Sequence, residues 1–247
     1  LAPMYPQYSA ATNATVVDDA ARALMDMRWQ PTLRTMAPYF DNPDHIAALA
    51  QSIRDAGHKA QAYPADARDE EAMVALVEGI ERDVGPIEVA VFNIGANVPC
   101  SILEETPRKY FKIWEMACFA GFLTSQAVAK RMVARGRGTI LFTGATAGLR
   151  GAAGFAAFAG AKHGIRALAQ SMARELGPQG VHVAHTIIDG AIDTEWIAKN
   201  FPQRHALKDQ DGILNPEHIA DAYWMLHAQP RDAWTFELDL RPWMERW

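Results

Sequence analysis

Cysteine, long apolar runs and, in its first part, glycine are scarce in this 247-residue sequence. It contains no uninterrupted apolar run of about 18 residues, as a membrane-spanning helix requires. The two cysteines, Cys100 and Cys118, stand in apolar contexts and do not suggest the disulfide framework of a secreted domain. The segment around Asp18 and Asp19 lacks the basic and apolar blocks of a signal peptide. We therefore expect a cytoplasmic protein without a membrane span.

Positive charge is not in excess either. The formal net charge of -5 gives no electrostatic reason to expect binding to nucleic acid or to an anionic membrane. No histidine, cysteine and carboxylate cluster has the spacing of metal ligands, and His182 and His185, three residues apart on a predicted strand, should face opposite sides. We expect no metal site.

Apolar strands alternate with helices from residue 43 onward, which is typical of a doubly wound parallel sheet. This pattern predicts an α/β fold, with one Rossmann-like domain over residues 1–247 and helices on both faces of the sheet. Residues 1–42 are divergent and carry a possible strand, Ala14–Val17, a possible helix, Asp18–Trp29, and a possible second extended segment, Thr32–Phe40. The predicted strands that follow are 59–65, 87–92, 139–143, 181–188 and 234–240, and the predicted helices are 44–56, 69–84, 107–134, 154–176 and 216–228.

The stretch Gly138–His163 organises the chain. It begins with the apolar strand Thr139–Thr143, breaks at Gly144, and passes through a loop of glycine and alanine into the helix that carries Lys162. Ligands of open α/β sheets bind beyond the carboxyl ends of the strands. A chemical site, if the protein has one, should therefore lie here.

Several landmarks in this order resemble the short-chain dehydrogenase/reductase (SDR) family over residues 43–228. They are Asp66 after a strand, the sequence Phe92-Asn93-Ile94-Gly95, the strand, loop and helix of Gly138–His163, and the segment Asp189–Thr194. The resemblance implies a Rossmann-like oxidoreductase fold. It also implies that Asp66, Asn93, Gly95 and Thr194 would contact a dinucleotide, if one binds.

The catalytic positions depart from the resembled family, which uses a serine and a Tyr-x-x-x-Lys motif. Lys162 matches the motif lysine, but Phe158 stands at the tyrosine position and Ala145 at the serine position. General acid–base catalysis needs a group that can exchange a proton, which these two side chains lack. The nearest hydroxyls, Thr143 and Thr146, are weak candidates for holding a substrate oxygen.

A structural interpretation competes with each of these candidates. Without the tyrosine, Lys162 is expected to be solvated or ion-paired, and Thr143 and Thr146 are expected to satisfy local backbone groups. Asn93 is expected to bond the backbone between strands. His163, next to Lys162, is expected at the surface.

The cofactor side also departs from the family, whose glycine-rich turn lets backbone N–H groups approach a pyrophosphate. The sequence has no glycine before Gly57, and its candidate turn, Val17–Ala20, carries two carboxylates that would repel a pyrophosphate. The favoured prediction is that this chain binds no cofactor. The alternative is NAD or NADP.

Two helices, 107–134 and 154–176, correspond to helices that commonly contact a second subunit in the resembled family. Gly154, Ala157 and Ala161 would allow close helix approach. The resemblance therefore implies homologous SDR subunits in a dimer or tetramer. It also implies a substrate lid at residues 191–214.

Two hypotheses follow. In the favoured one, the chain is a catalytically degenerate SDR subunit, a pseudoenzyme that is a structural or regulatory partner of an active NAD-dependent dehydrogenase subunit. In the alternative, it is an NAD(P)-dependent SDR oxidoreductase that uses atypical residues, with Thr143, Thr146 and Lys162 as the working groups.

Overall fold

The protein is built on a parallel β-sheet, seen in a computed structural model that describes residues 3–4, 36–37, 51, 53–55, 57–95 and 97–245. In these residues the sheet has seven strands in the order β3-β2-β1-β4-β5-β6-β7, all parallel to their neighbours. The doubly wound sheet predicted from sequence is confirmed. The strands are β1 (Pro3–Met4), β2 (Met36–Ala37), β3 (Tyr63–Pro64), β4 (Val89–Phe92), β5 (Gly138–Thr143), β6 (Val181–Ile188) and β7 (Glu237–Leu240).

The helices begin where side chains cap their free N–H groups. Asp69, Thr106 and Asn215 each accept a hydrogen bond from a backbone N–H in the first turn of the helix that follows. A five-residue π-helical turn, Glu115–Phe119, joins α2 to α3. From residue 57 onward, the α-helices of the described residues are α1 (Glu70–Asp83), α2 (Pro107–Trp114), α3 (Ala120–Arg135), α4 (Ala156–Leu176), α5 (Glu195–Asn200), α6 (Pro202–His205) and α7 (Pro216–Ala228). Residues 51 and 53–55 are also helical, within the predicted helix 44–56.

Two apolar cores lie on opposite faces of the sheet. Ile140 and Phe142 of β5 pack with α1, α3 and α4, whereas Leu141 packs with Tyr223 of α7. All eight residues of β6 are buried, as expected of a strand covered on both faces. Alternate side chains of β5 therefore reach different helices.

Some predicted elements are shorter or lie elsewhere. The strand predicted at 59–65 is reduced to Tyr63–Pro64 at the edge of the sheet, where a proline is tolerated. The strand predicted at 234–240 begins at Glu237. Trp234 follows a 3₁₀ turn, Arg231–Ala233, and its ring stacks on that of His182 with centroids 4.8 Å apart. The predicted strand Ala14–Val17 and helix Asp18–Trp29 lie outside the described residues.

The small residues of α4 pack inside the chain. Ala157 is 2% exposed and Ala161 is 0% exposed. A Cβ on Gly160 would lie 2.7 Å from the hydroxyl of Tyr110, so the glycine allows α2 to approach α4. The expectation that Ala157 and Ala161 face a second subunit is wrong, because they belong to the core of this chain.

The predicted lid segment, residues 191–214, contains α5 and α6. Ile192 forms a parallel bridge with Leu214. The carboxylate of Asp193 accepts hydrogen bonds from His205, at 2.9 Å, and Lys208, at 2.6 Å. No helix in the described part of the chain is long and apolar enough to cross a membrane.

Candidate active site

Ligands of this architecture bind beyond the carboxyl ends of the strands. In this protein, the carboxyl ends of β4, β5 and β6 form the part of the sheet that we call the carboxyl edge. Residues 93–95 follow β4, residues 144–146 follow β5, and residues 189–190 follow β6. The register pairs Phe92 with Phe142 and Thr143 with Thr186, so β4 and β5 end close together and β6 continues two residues further, to Ile188. The stretch singled out from sequence lies at the centre of this edge.

Lys162 projects from α4 into this edge and is only 4% exposed. Its Nζ donates hydrogen bonds to the carbonyl oxygens of Thr143, at 2.7 Å, and Ile94, at 3.2 Å. Burial lowers the pKa of Lys162 to about 8, because the charged form loses its hydration. The expectation of a solvated or ion-paired lysine is wrong, since Lys162 joins the ends of β4 and β5 from inside.

Phe158 lies one helical turn before Lys162, and its ring centroid is 5.9 Å from Nζ. A Cβ on Gly95 would be 3.9 Å from the Phe158 ring and 4.0 Å from Nζ, so these three residues converge. Ala145 immediately precedes the 3₁₀ turn Thr146–Gly148 after β5. The two positions assigned from the sequence to the family's tyrosine and serine thus hold a phenyl ring and a methyl group.

The two candidate hydroxyls are bonded to other side chains. The hydroxyls of Thr143 and Tyr223 are 2.8 Å apart, and Tyr223 belongs to the core on the face opposite α4. Thr146 donates a hydrogen bond to a carboxylate oxygen of Asp189. The expectation that these threonines bond local backbone groups is therefore wrong. Their partners are side chains, one on α7 and one directly after β6.

Asp189 is a buried carboxylate for which no role was predicted from the sequence. It is 4% exposed, and its Oδ2 lies 3.2 Å from Nη1 of Arg241, whose guanidinium also pairs with Asp239. The sequence offered one signal of this ion pair, Asp189 itself, because a carboxylate that directly follows a buried strand needs a cation nearby. Tyr223 is far from the motif in sequence, so its contact with Thr143 could not be predicted.

The candidate cofactor contacts fit a dinucleotide only in part. Asp66 and Arg68 form a bidentate ion pair, and the hydrogen bonds from Arg68 lower the pKa of the Asp66 carboxyl. Asn93 is buried after β4, and Thr194 accepts a hydrogen bond from Ile197 N as the cap of α5. The turn that would cradle a pyrophosphate falls on residues 1–42, of which the structure describes only 3–4 and 36–37.

The histidines form no metal site in the described part of the chain, where no group of three ligand-type side chains has suitable geometry. His182 and His185 do face opposite sides of β6. His182 donates to the Thr235 carbonyl at 2.9 Å, whereas Nδ1 of His185 lies 3.1 Å from Glu237. His163 is exposed, as expected.

The parallel sheet and the lysine at its edge define a Rossmann-type oxidoreductase fold. A profile of the short chain dehydrogenase family matches residues 23–205, and the chain belongs to this family. A short-chain dehydrogenase from Rhodopseudomonas palustris is 39% identical, with a TM-score of 0.73 over 98% of this chain and 99% of that chain. An NAD+-bound xylitol dehydrogenase shares the fold at 17% identity, with a TM-score of 0.80 over 98% and 97% of the two chains.

A second similarity is short and concerns an unrelated kind of protein. Over 51 residues the chain is 67% identical to the ferrochelatase of Nitrobacter hamburgensis. That stretch is 21% of this chain and 15% of the ferrochelatase. The chain therefore spans only about 15% of the length of this curated relative.

Proposed function

We propose that this chain is a non-catalytic SDR subunit and a structural or regulatory partner of an active NAD-dependent dehydrogenase subunit in a mixed oligomer. The observation that carries the proposal is the pair of side chains at the reactive positions, Phe158 beside Lys162 and Ala145 after β5. Reduction of a carbonyl group needs a proton donor at its oxygen. Neither a phenyl ring nor a methyl group has a proton to donate.

The three polar candidates at this edge, Lys162, Thr143 and Thr146, form hydrogen bonds within the chain. Two of the three donors of the Lys162 ammonium are bonded to backbone carbonyls. The hydroxyl of Thr143 is paired with Tyr223, and that of Thr146 donates to Asp189. A substrate oxygen could be held here only by the third donor of the ammonium or by displacing one of these bonds.

The similarity to ferrochelatases bears on the missing glycine-rich turn. The SDR landmarks lie between Asp66 and Thr194, and β7 and α7 complete the sheet after them. We therefore place the ferrochelatase-like stretch before Gly57, in the part of the sequence without glycine. On this placement the stretch overlaps the start of the short chain dehydrogenase match at residue 23, and the segment expected to carry the pyrophosphate turn lies in the ferrochelatase-like stretch. A stretch covering 15% of a ferrochelatase supports no proposal of that activity.

The partner surface that we propose is the exposed side of α2 and α3, within the predicted range 107–134. Four rings, those of Phe111, Trp114, Phe119 and Phe122, follow one another along it with centroids 5.8 to 6.1 Å apart. Phe111 is 55% exposed and Phe122 is 38% exposed. Contiguous exposed rings favour burial against another protein, and a homologous SDR subunit with the same helices offers a matching apolar face.

The decisive experiment has two parts. The isolated chain is titrated with NADH and NADPH while cofactor fluorescence is followed, and no saturable binding in the micromolar range is expected. The protein is then purified from its native source, and co-eluting chains are identified by mass spectrometry. An intact SDR subunit in stoichiometric amount supports the proposal, whereas micromolar NADH binding by the isolated chain contradicts it.

A second candidate function is an NAD(P)-dependent oxidoreductase that works with Lys162 and atypical neighbours. It is favoured by the buried ammonium, whose pKa of about 8 makes proton release feasible near neutral pH. The NAD+-bound xylitol dehydrogenase with the same fold also favours it. Homo-oligomers that oxidise NADH or NADPH with a carbonyl substrate, and lose this activity in Lys162→Met, would establish this candidate.

A further inference from the structure

A cavity of about 430 Å³ opens beside the start of α2, and four cationic side chains line it. They are those of Arg68, Arg108, Lys109 and Lys112, and no carboxylate is among the lining residues. The whole chain, in contrast, has a formal net charge of -5. Positive charge is thus concentrated around one concave site of a protein that is acidic elsewhere.

These cations lie where they weaken the helix that carries them. Arg108 and Lys109 occupy the first turn of α2, which contains no acidic residue, so they meet the positive end of the helix dipole. Arg108 and Lys112 are four residues apart on the same helix face, where like charges repel. Both effects destabilise the helix, and a bound anion would relieve both.

The neighbouring carboxylates leave part of this charge uncompensated. Arg68 pairs with Asp66 and lies 3.6 Å from Glu115, and Lys109 lies 3.8 Å from Glu105. In the part of the chain that the structure describes, no carboxylate forms an ion pair with Arg108 or Lys112. Two positive charges therefore remain at the cavity.

The other walls of the cavity are apolar. Ile113 is 4% exposed, Met116 is 5% exposed, and Val98 contributes a third apolar side chain. A free inorganic ion would leave these walls uncovered. The combination fits a ligand with a doubly charged end and a small apolar body.

We propose that this cavity binds a small phosphomonoester, with the phosphate held by Arg108 and Lys112 and the apolar part against Ile113 and Met116. Guanidinium presents paired N–H donors that match phosphate oxygens, and lysine adds a point charge. The site uses none of the residues at the carboxyl edge of β5. The proposed phosphate contacts, Arg108 and Lys112, are not among the candidate dinucleotide contacts, whereas Arg68 in the lining pairs with one of them, Asp66.

The probe is phenyl phosphate, titrated into the full chain by isothermal calorimetry at low salt, with benzyl alcohol as the neutral analogue. Phenyl phosphate should bind saturably and raise the melting temperature, and benzyl alcohol should bind at least tenfold more weakly. The double variant Arg108→Gln/Lys112→Gln should bind phenyl phosphate at least tenfold more weakly. Higher salt should also weaken binding to the unsubstituted chain, because the partners are partly exposed.

The matched control is Lys130→Gln/Lys199→Gln, which removes two exposed cations outside the cavity. It should leave the affinity for phenyl phosphate unchanged. Without ligand, the Arg108→Gln/Lys112→Gln variant should be at least as stable as the unsubstituted chain, since like-charge repulsion is removed. Absence of saturable binding to the unsubstituted chain, or equal binding by the two double variants, would overturn the proposal. So would equal affinity for benzyl alcohol.

Discussion

The ammonium of Lys162 donates a hydrogen bond of 2.7 Å to the carbonyl oxygen of Thr143, which fastens α4 to the end of β5. The same ammonium reaches the carbonyl of Ile94 after β4. The lysine that matches the SDR motif therefore has a structural task at the edge of the sheet. This task explains why Lys162 is buried although the tyrosine position four residues earlier holds Phe158.

Restoring the family's reactive side chains tests whether they are all that is lacking. We expect the double variant Phe158→Tyr/Ala145→Ser of the isolated chain to show no NADH-dependent carbonyl reduction, because the proposed defect includes the cofactor turn. The measurement is NADH oxidation with a panel of aldehydes and ketones, with an intact SDR enzyme as the positive control. Activity in the double variant would show that residues 1–42 hold a cofactor after all.

The buried lysine should make stability depend on pH in one direction. Burial lowers the pKa of Lys162 from 10.5 to about 8. Below pH 8 the lysine is charged in both the folded and the unfolded chain, and its burial penalty applies in full. Between pH 8 and 10.5 the unfolded chain binds more protons, so the free energy of unfolding rises with pH.

Urea unfolding at pH 7.5 and 9.5 checks this expectation. Relative to Lys162→Met, the unsubstituted chain should gain about 2 kcal/mol between these pH values. Cys118, whose pKa is raised by burial, is present in both proteins, so its effect largely cancels in the comparison. The exposed control Lys199→Met should follow the unsubstituted chain, and identical pH profiles for all three proteins would contradict the assigned burial of the charge.

The sequence predicted elements best where local signals agree. The bounds of β6, Val181–Ile188, and of α7, Pro216–Ala228, are those expected from the sequence. The first is a mostly apolar and β-branched run after Gly180, and the second has an Asn215 cap followed by proline. Both sets of signals lie within or beside the element itself.

The pairing of Asp189 with Arg241 could not be predicted, because it depends on strand register. Ile188 lies opposite Leu240 in the sheet, so the residues that follow them lie side by side although they are far apart in sequence. The bond between Thr143 and Tyr223 likewise requires knowing that α7 covers the face to which Thr143 points. The sequence predicted where the candidate site lies in the sheet, but not which side chains bond its polar groups.

Gly144, the first residue after β5, should not tolerate a side chain. A Cβ there would lie 2.3 Å from Nε2 of His185 and 3.0 Å from the carbonyl oxygen of Thr186. We expect Gly144→Ala to lower the free energy of unfolding by about 1 to 3 kcal/mol. At Gly151 a Cβ would meet nothing within 4 Å. Gly151→Ala should therefore change the free energy of unfolding by less than about 0.5 kcal/mol.

Chemical unfolding of both variants measures this contrast, and His185→Ala identifies its cause. If the clash with the imidazole dominates, the loss caused by Gly144→Ala should be smaller in a His185→Ala background than in the unsubstituted chain. The double-mutant cycle should then show a coupling of about 1 kcal/mol. Additive losses would assign the effect to the Thr186 backbone instead.

The aromatic face of α2 and α3 should control assembly. Replacing two exposed rings in Phe111→Ser/Phe122→Ser removes apolar area from the surface without touching the core, so the fold should survive. We expect the association constant of this chain with the SDR subunit that co-purifies with it, measured by sedimentation equilibrium, to fall at least tenfold. Val74→Ser, which removes a 37% exposed apolar side chain from α1, should leave association unchanged. A double variant that assembles like the unsubstituted chain, with an unchanged circular dichroism spectrum, would show that subunits meet elsewhere.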